Sequence, residues 1–218
     1  MAESIRTLAF RTVNAYLVET TTGFILIDTG FISNRAQLDK MLSTTGCQPG
    51  NLKLIVVTHG DPDHSSNALY LREKHGARIA MHKSEAAAVK QGDMFLSRGP
   101  QPPLRRWMLK PLAALFRLRK RNRFTPDLYL EDGDRLMEYG FDATILHVPG
   151  HSAGSIAVLT SDGALFSGDF LENRTHPSIA TLVDDDGALK EGFEKVKKLN
   201  IQIVYPGHGK PFALEEVE

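Results

Sequence analysis

Apolar positions along the chain fall into two patterns, one typical of strands and one typical of helices. Residues 52–57 are apolar except for Lys53, and this run predicts a buried strand. The turns at 20–23 and 161–163 each join two β-rich segments and predict hairpins. The predicted strands are residues 13–19, 24–27, 52–57, 78–81, 127–130, 134–138, 143–148, 155–160, 164–167 and 201–205.

Helical spacing predicts helices at residues 34–44, 64–75 and 186–199, and a further one after Ser84. Ser33 and Ser84 stand where they could cap the helices that follow them. Each half of the chain therefore runs from hairpins to strand–helix units. Two packed sheets with helices outside would accommodate that order.

One segment, residues 91–126, departs from this pattern. From residue 94 onwards it contains nine Lys or Arg residues and no Asp or Glu, interleaved with apolar residues such as Trp107 and Phe116. We interpret it as an inserted arm in a single domain spanning 1–218. It could be a solvated basic face, a cover that binds an anionic or acyl-bearing substrate, or a contact with a membrane surface through 94–126.

Bulk properties narrow the class of protein. The chain has 218 residues, of which 42% are hydrophobic and 24% charged, as in an ordinary globular domain. Its formal net charge is zero, so no global field favours nucleic acid, and no nucleic-acid partner is expected. The single cysteine, Cys47, excludes an internal disulfide and reads as a free thiol without a role. The N-terminal residues do not resemble a signal peptide, and no apolar run is long enough for a transmembrane helix, so a cytoplasmic location is expected.

Imidazole and carboxylate side chains follow the predicted strands where those strands end. Gly or Pro beside many of them lets the backbone turn sharply, so they can converge on one rim of a sheet. These side chains are the ligands that borderline and hard divalent metals prefer. The alternative for Asp63 is that it only caps the following helix. The residues are Asp28, His59, Asp61, Asp63, His64, His151, Asp169 and His208.

Five motifs in order along the chain resemble those of the metallo-β-lactamase superfamily. The resemblance implies an α/β (α+β) fold, a four-layer αββα sandwich with metals at one edge of the sheets. Residues 149–155 are most similar to the hydroxyacylglutathione hydrolase branch. The motifs are Ile27-Asp28-Thr29-Gly30, Thr58-His59-Gly60-Asp61-Pro62-Asp63-His64, Pro149-Gly150-His151-Ser152-Ala153-Gly154-Ser155, Phe166-Ser167-Gly168-Asp169 and Pro206-Gly207-His208-Gly209.

The resemblance also implies two divalent metal ions per chain, with Asp28 as a supporting residue. Asp61 departs from the family pattern, which has His at that position. A carboxylate there makes the first site harder and more anionic, which shifts its preference towards iron or manganese relative to zinc. Zinc is still the expected ion, with iron or manganese as alternatives. The implied ligands are His59, Asp61 and His151 for the first ion, Asp63, His64 and His208 for the second, and Asp169 as a bridge.

By this resemblance the protein is a metallo-hydrolase of a small-molecule substrate: a thioester, ester, lactone or phosphodiester. A metal-bridging hydroxide would attack the substrate, and Asp63 would act catalytically by accepting its proton. Only ten residues follow His208, so we expect no C-terminal helical substrate domain, which argues against glutathione thioesters. Asp61 motivates a second hypothesis, a non-haem di-iron or mono-iron redox enzyme similar to flavodiiron or persulfide-oxidising proteins. A non-catalytic binding module that uses the basic arm is a third.

Overall fold

The computed structural model describes residues 4–98 and 118–217, so the middle of the predicted basic arm lies outside the described residues. A six-stranded sheet has the order β1-β2-β3-β4-β5-β6, with the first three strands antiparallel and the rest parallel. Its strands are β1 (Ser4–Ala9), β2 (Asn14–Thr20), β3 (Gly23–Ile27), β4 (Leu52–Val56), β5 (Arg78–His82) and β6 (Leu128–Leu130).

A four-stranded sheet has the order β12-β9-β8-β7, and its β9–β12 pair is parallel. Its strands are β7 (Ala143–His147), β8 (Ile156–Thr160), β9 (Ala164–Gly168) and β12 (Ile203–Pro206), and a small separate pair is formed by β10 (Leu171–Glu172) and β11 (Ser178–Ile179). The helices are α1 (Arg35–Thr44), α2 (Pro62–Ser65), α3 (Ala68–His75), α4 (Ala86–Gln91) and α5 (Asp186–Val196). No helix in the described ranges is long and apolar enough to cross a membrane.

Strand alternation builds the layers. In β4, Leu54 and Val56 face the other sheet, where they join Phe141 and Phe166, while Ile55 faces the helices and joins a second core with α1 and α3. A third core packs the apolar side of α5 against the outer face of the four-stranded sheet. The order helix, sheet, sheet, helix confirms the predicted αββα sandwich.

Several predicted elements need correction. Residues 134–138 are not a strand, because only Arg135 bridges to β7 and the chain then turns at Gly140, whose φ of 69° lies in the left-handed region. The predicted helix 64–75 is two helices, interrupted at Asn67, whose amide donates to backbone oxygens of the loop after β3. Ser33 and Ser84 do not cap helices, since each lies inside a short 3₁₀ turn.

Candidate metal centre

The loop after β4 and the short helix α2 carry four of the predicted ligands. Asp61 has an extended backbone and directly precedes Pro62, whose ring favours the first position of a helix. The turn of α2 then brings Asp63 Oδ2 to 3.8 Å from His64 Nε2. His59, Asp61 and His64 are buried, while the side chain of Asp63 is 19% exposed. Asp63 is thus a carboxylate with access to solvent.

Three further loops complete the site from the other sheet. His151 follows β7, Asp169 follows β9, and His208 follows β12. Gly207 lets the loop after β12 pack closely against two candidate ligands, because a Cβ there would lie 2.5 Å from Asp169 Oδ1 and 2.7 Å from His64 Cε1. A larger residue at that position would push the β12 loop away from the site.

Asp169 lies at the middle of this cluster. Its Oδ1 is 3.1 Å from His64 Nε2 and its Oδ2 is 3.2 Å from His208 Nε2. The same Oδ2 is 3.9 Å from His151 Nε2 and 4.0 Å from His59 Nε2. The carboxylate of Asp169 therefore lies close to histidines that follow strands of both sheets.

On either side of Asp169 the remaining candidate ligands form two triads. Asp61 Oδ2 lies 3.7 Å from His59 Nε2 and 3.3 Å from His151 Nε2. Within each triad the candidate ligand atoms lie within 4.8 Å of one another, a separation compatible with metal–ligand bonds of about 2.0–2.2 Å. The triads are His59, Asp61 and His151, and Asp63, His64 and His208, with His59, His64 and Asp169 as a third overlapping group.

Hydrogen bonds orient all four imidazoles the same way. Each Nδ1 contacts an oxygen outside the cluster, so each Nε2 faces inwards, as metal-ligating histidines require. The Nδ1 partners are Thr58 Oγ1 for His59 at 3.1 Å, Asp28 Oδ2 for His64 at 2.8 Å, the Leu182 carbonyl for His151 at 2.7 Å and the Thr12 carbonyl for His208.

Several inward-facing atoms are buried and lack a hydrogen-bond partner among the described residues. Leaving buried polar atoms unpaired is costly, and few native proteins do so without a reason. A divalent cation at the middle of the cluster would satisfy them together, so the donor set fits a metal. The atoms are His59 Nε2, His64 Nε2, His208 Nε2, Asp61 Oδ1 and Asp169 Oδ1.

Asp28 supports the site through its backbone and its carboxylate. Its φ of 59° makes it the one non-glycine residue in the described ranges with a left-handed backbone. The carboxylate accepts hydrogen bonds from the Thr58 backbone N–H and hydroxyl, and pairs with His64 Nδ1. This arrangement agrees with the supporting position that the family resemblance implies for Asp28.

Glu85 is a site residue that the sequence analysis missed. It is fully buried, and its carboxylate accepts hydrogen bonds from the backbone N–H groups of Gly60 at 2.7 Å and Gly154 at 2.9 Å. It also accepts from the Ser152 hydroxyl at 2.8 Å. Glu85 therefore ties the loop after β4 to the loop that carries His151. Its neighbours in sequence gave no indication of this, because the contacts come from distant loops.

Arg98 is a second missed residue. The sequence places it in the basic arm, but its guanidinium lies in the site, 2.6 Å from Asp61 Oδ2 and with its side chain 3% exposed.

Two other histidines, His147 and His176, lie outside the triads. His147 stacks on His82 with 4.3 Å between ring centroids, and His176 is exposed.

The charges within the site shift the pKa values of its residues in the direction opposite to the effect of burial. Burial alone would raise the pKa of Asp169, but His64 and His208 hold it well below its usual range. Burial alone would lower the pKa of His208, but Asp169 and Asp63 raise it to about 9. Without metal, the cluster therefore holds protons at neutral pH.

We expect metal binding at pH 7 to release protons, and the apparent affinity to increase from pH 7 to pH 9. The pKa of His208, raised from 6.5 to about 9, means that metal must displace a proton from this imidazole. Calorimetric titration in buffers of different ionisation enthalpy measures the release. A metal affinity independent of pH between pH 7 and pH 9 would contradict the prediction.

The same shift in the pKa of His208 stabilises the metal-free fold. This contribution is fully present below pH 6.5 and is lost as pH rises through 9.

The sequence profile of the metallo-beta-lactamase superfamily matches residues 8–208. The chain belongs to this superfamily. The predicted family is thus confirmed, and the matched range runs from β1 to the last candidate ligand.

Curated relatives of this chain include hydrolases of two kinds. The human acyl-coenzyme A thioesterase MBLAC2 is 30% identical over 226 residues, covering 94% of this chain and 75% of the relative. Its bovine counterpart is 31% identical, with 88% and 66% covered. The hydroxyacylglutathione hydrolase GloC of Haemophilus influenzae is 31% identical over 56% of this chain and 50% of its own length. The relatives support the prediction of a metallo-hydrolase.

Solved structures agree with the fold. The protein TTHA1623 in a di-iron-bound form is 28% identical, with a TM-score of 0.72 and 97% of this chain and 95% of that chain covered. The subclass B3 metallo-beta-lactamase BJP-1 of Bradyrhizobium japonicum has a TM-score of 0.71 at 20% identity, with 94% and 75% covered. At that identity BJP-1 supports the fold alone.

Proposed function

We propose that this protein is a metal-dependent thioester hydrolase with two divalent ions per chain. The observation that carries the proposal is the position of Asp169 between two triads, in which several inward-facing atoms are buried and make no hydrogen bond with the described residues. The proposed ligands are His59, Asp61 and His151 for the first ion, Asp63, His64 and His208 for the second, and Asp169 for both.

Thioesters are favoured because they are common to the two activities named for the relatives. One group is named acyl-coenzyme A thioesterase and the other hydroxyacylglutathione hydrolase, and each name implies cleavage of an acyl–sulfur bond. Zinc as the resident ion, a cytoplasmic location and a single domain over residues 1–218 stay predictions that accompany this proposal.

Two bound divalent ions would supply a water of lowered pKa, near 7, and would polarise the substrate carbonyl. The chain contributes the positions of the donors. Asp28 and Thr58 hold the imidazoles of His64 and His59 by their Nδ1 atoms, so neither ring needs to turn during the reaction. Asp63 reaches solvent while lying 3.4 Å from His208 Nε2, which suits it to accept a proton at the edge of the site and pass it to water.

Metal content and thioester cleavage test the proposal together. We expect protein purified without a metal-binding tag to contain two divalent ions per chain by plasma mass spectrometry. It should release free thiol from acyl-coenzyme A or S-acylglutathione, and a chelator should remove both ions and activity. Asp63→Asn removes a proposed ligand of the second ion as well as the proposed proton acceptor, so kcat should fall about 10²-fold or more. The metal content of the variant separates the two causes. Glu194→Gln on the exposed face of α5 is the control. Fully metal-loaded protein that cleaves no thioester would contradict the proposed substrate class.

A second candidate is iron-dependent redox chemistry. Asp61 makes the first triad more anionic than a three-histidine site, and TTHA1623 at 28% identity was solved with two irons. Iron in the purified protein together with oxygen consumption would favour this function. Zinc with no oxygen uptake would remove it.

A further inference from the structure

The guanidinium of Arg98 contacts the first triad at two ligands. Its Nη2 donates to Asp61 Oδ2 at 2.6 Å and lies 3.3 Å from His151 Nε2. Its Nη1 donates to the carbonyl oxygen of His151. A cation built into the protein thus sits beside the atoms that the proposed function assigns to the first metal ion.

Burial keeps Arg98 in this position. Only 3% of its side chain is exposed, and a buried guanidinium is tolerated only where carboxylates pair with it. Asp61 is one partner, and Asp184 Oδ2 lies 3.7 Å from Arg98 Nε on the other side. Leaving Asp61 would cost Arg98 its shortest ion pair.

The second triad has no guanidinium or ammonium partner among the described residues. There, Asp63 forms ion pairs only with His64 and His208. The two proposed sites therefore differ: a metal ion can displace the protons of the imidazoles beside Asp63, whereas the guanidinium beside Asp61 keeps its positive charge.

From this asymmetry we propose that Arg98 competes with the first metal ion for Asp61, so that the two sites differ in affinity. The inference rests on the proposed metal centre. A divalent ion bound at Asp61 is repelled by the buried guanidinium of Arg98. Either Arg98 moves away from Asp61 Oδ2, or the ion binds only through Oδ1, which is buried and has no hydrogen-bond partner among the described residues. The site of Asp63, His64 and His208 fills first.

Zinc titration of the metal-free protein tests the proposal, using isothermal calorimetry and competition with a chromophoric chelator. Wild type should bind one ion tightly and a second at least about tenfold more weakly. Arg98→Gln should tighten the weak site about tenfold or more and leave the tight site within about twofold. Arg98→Lys, which keeps a charge without the planar fork, should change the weak site less. Arg72→Gln, at the surface pair with Asp127, is the matched control and should change neither site.

A double-mutant cycle identifies the partner. In an Asp61→Asn background, Arg98→Gln should change the weak site much less than it does in wild type, because the competing pair is already absent. Equal affinities in wild type, or weaker first-site binding in Arg98→Gln with a native circular dichroism spectrum, would overturn the proposal. Absence of any bound ion in wild type and variants would contradict the metal centre itself. Two equal tight sites would contradict only the role of Arg98.

Discussion

Asp169→Ala is expected to abolish binding of the two-ion set and to reduce thioester turnover about 10³-fold or more, because groups that act as a unit fail together. Asp169 is the carboxylate that lies within 4.0 Å of all four candidate ligand histidines. Removing it leaves the imidazoles with no shared anion and takes a donor from both sites. Metal analysis and thiol release measure the two effects on the same preparation.

A conservative variant separates charge from shape. Asp169→Asn keeps the size and one carbonyl oxygen but lacks the negative charge, so we expect it to retain at most one ion and little activity. Asp186→Asn, on the exposed first turn of α5, is the control and should behave as wild type. Full activity with two ions in Asp169→Ala would exclude Asp169 as a bridge.

Glu85→Gln is expected to lower the free energy of unfolding by about 3 kcal/mol, in the range found when one partner of a buried charged network is altered. The carboxylate accepts three hydrogen bonds from the two ligand loops, at 2.7, 2.8 and 2.9 Å. The amide of Gln would turn an N–H towards at least one of these donors and leave it unsatisfied. Because Glu85 holds both loops, metal affinity should decrease as well.

Denaturant unfolding of the metal-free proteins measures the stability change without the contribution of bound ions. Glu191→Gln, which alters an exposed i,i+4 pair with Lys195, should change stability by less than about 0.5 kcal/mol. If Glu85→Gln matched that control, the three hydrogen bonds would be unimportant for holding the loops.

Local pattern was sufficient to predict the strands that carry the site. The apolar run at 52–57 corresponds to β4, and the candidate ligands at strand ends lie together at one edge of the two sheets. Their convergence could be predicted because sheet geometry brings the ends of neighbouring strands to the same edge. The ligand roles themselves stay predictions.

Long-range contacts could not be predicted in this way. Asn67 interrupts the helix 64–75 because its amide bonds to a loop more than thirty residues earlier in the chain. Glu85 and Arg98 enter the site through folding of the chain around them, and neither has a sequence neighbour that indicates a ligand loop. Residues 134–138 alternate like a strand, but their pairing is limited by the turn at Gly140.

The parallel pairing of β9 with β12 has a consequence for the order of folding. His208 reaches the site only when β12 pairs with β9, and the paired residues of these strands are nearly forty positions apart in the sequence. The other candidate donors extend back along the chain as far as His59. Contacts of such long sequence separation form late, after local helices and hairpins. A metal ion would thus meet its complete set of donors only on a nearly folded chain. Loading is expected to follow synthesis and to slow unfolding more than it speeds folding.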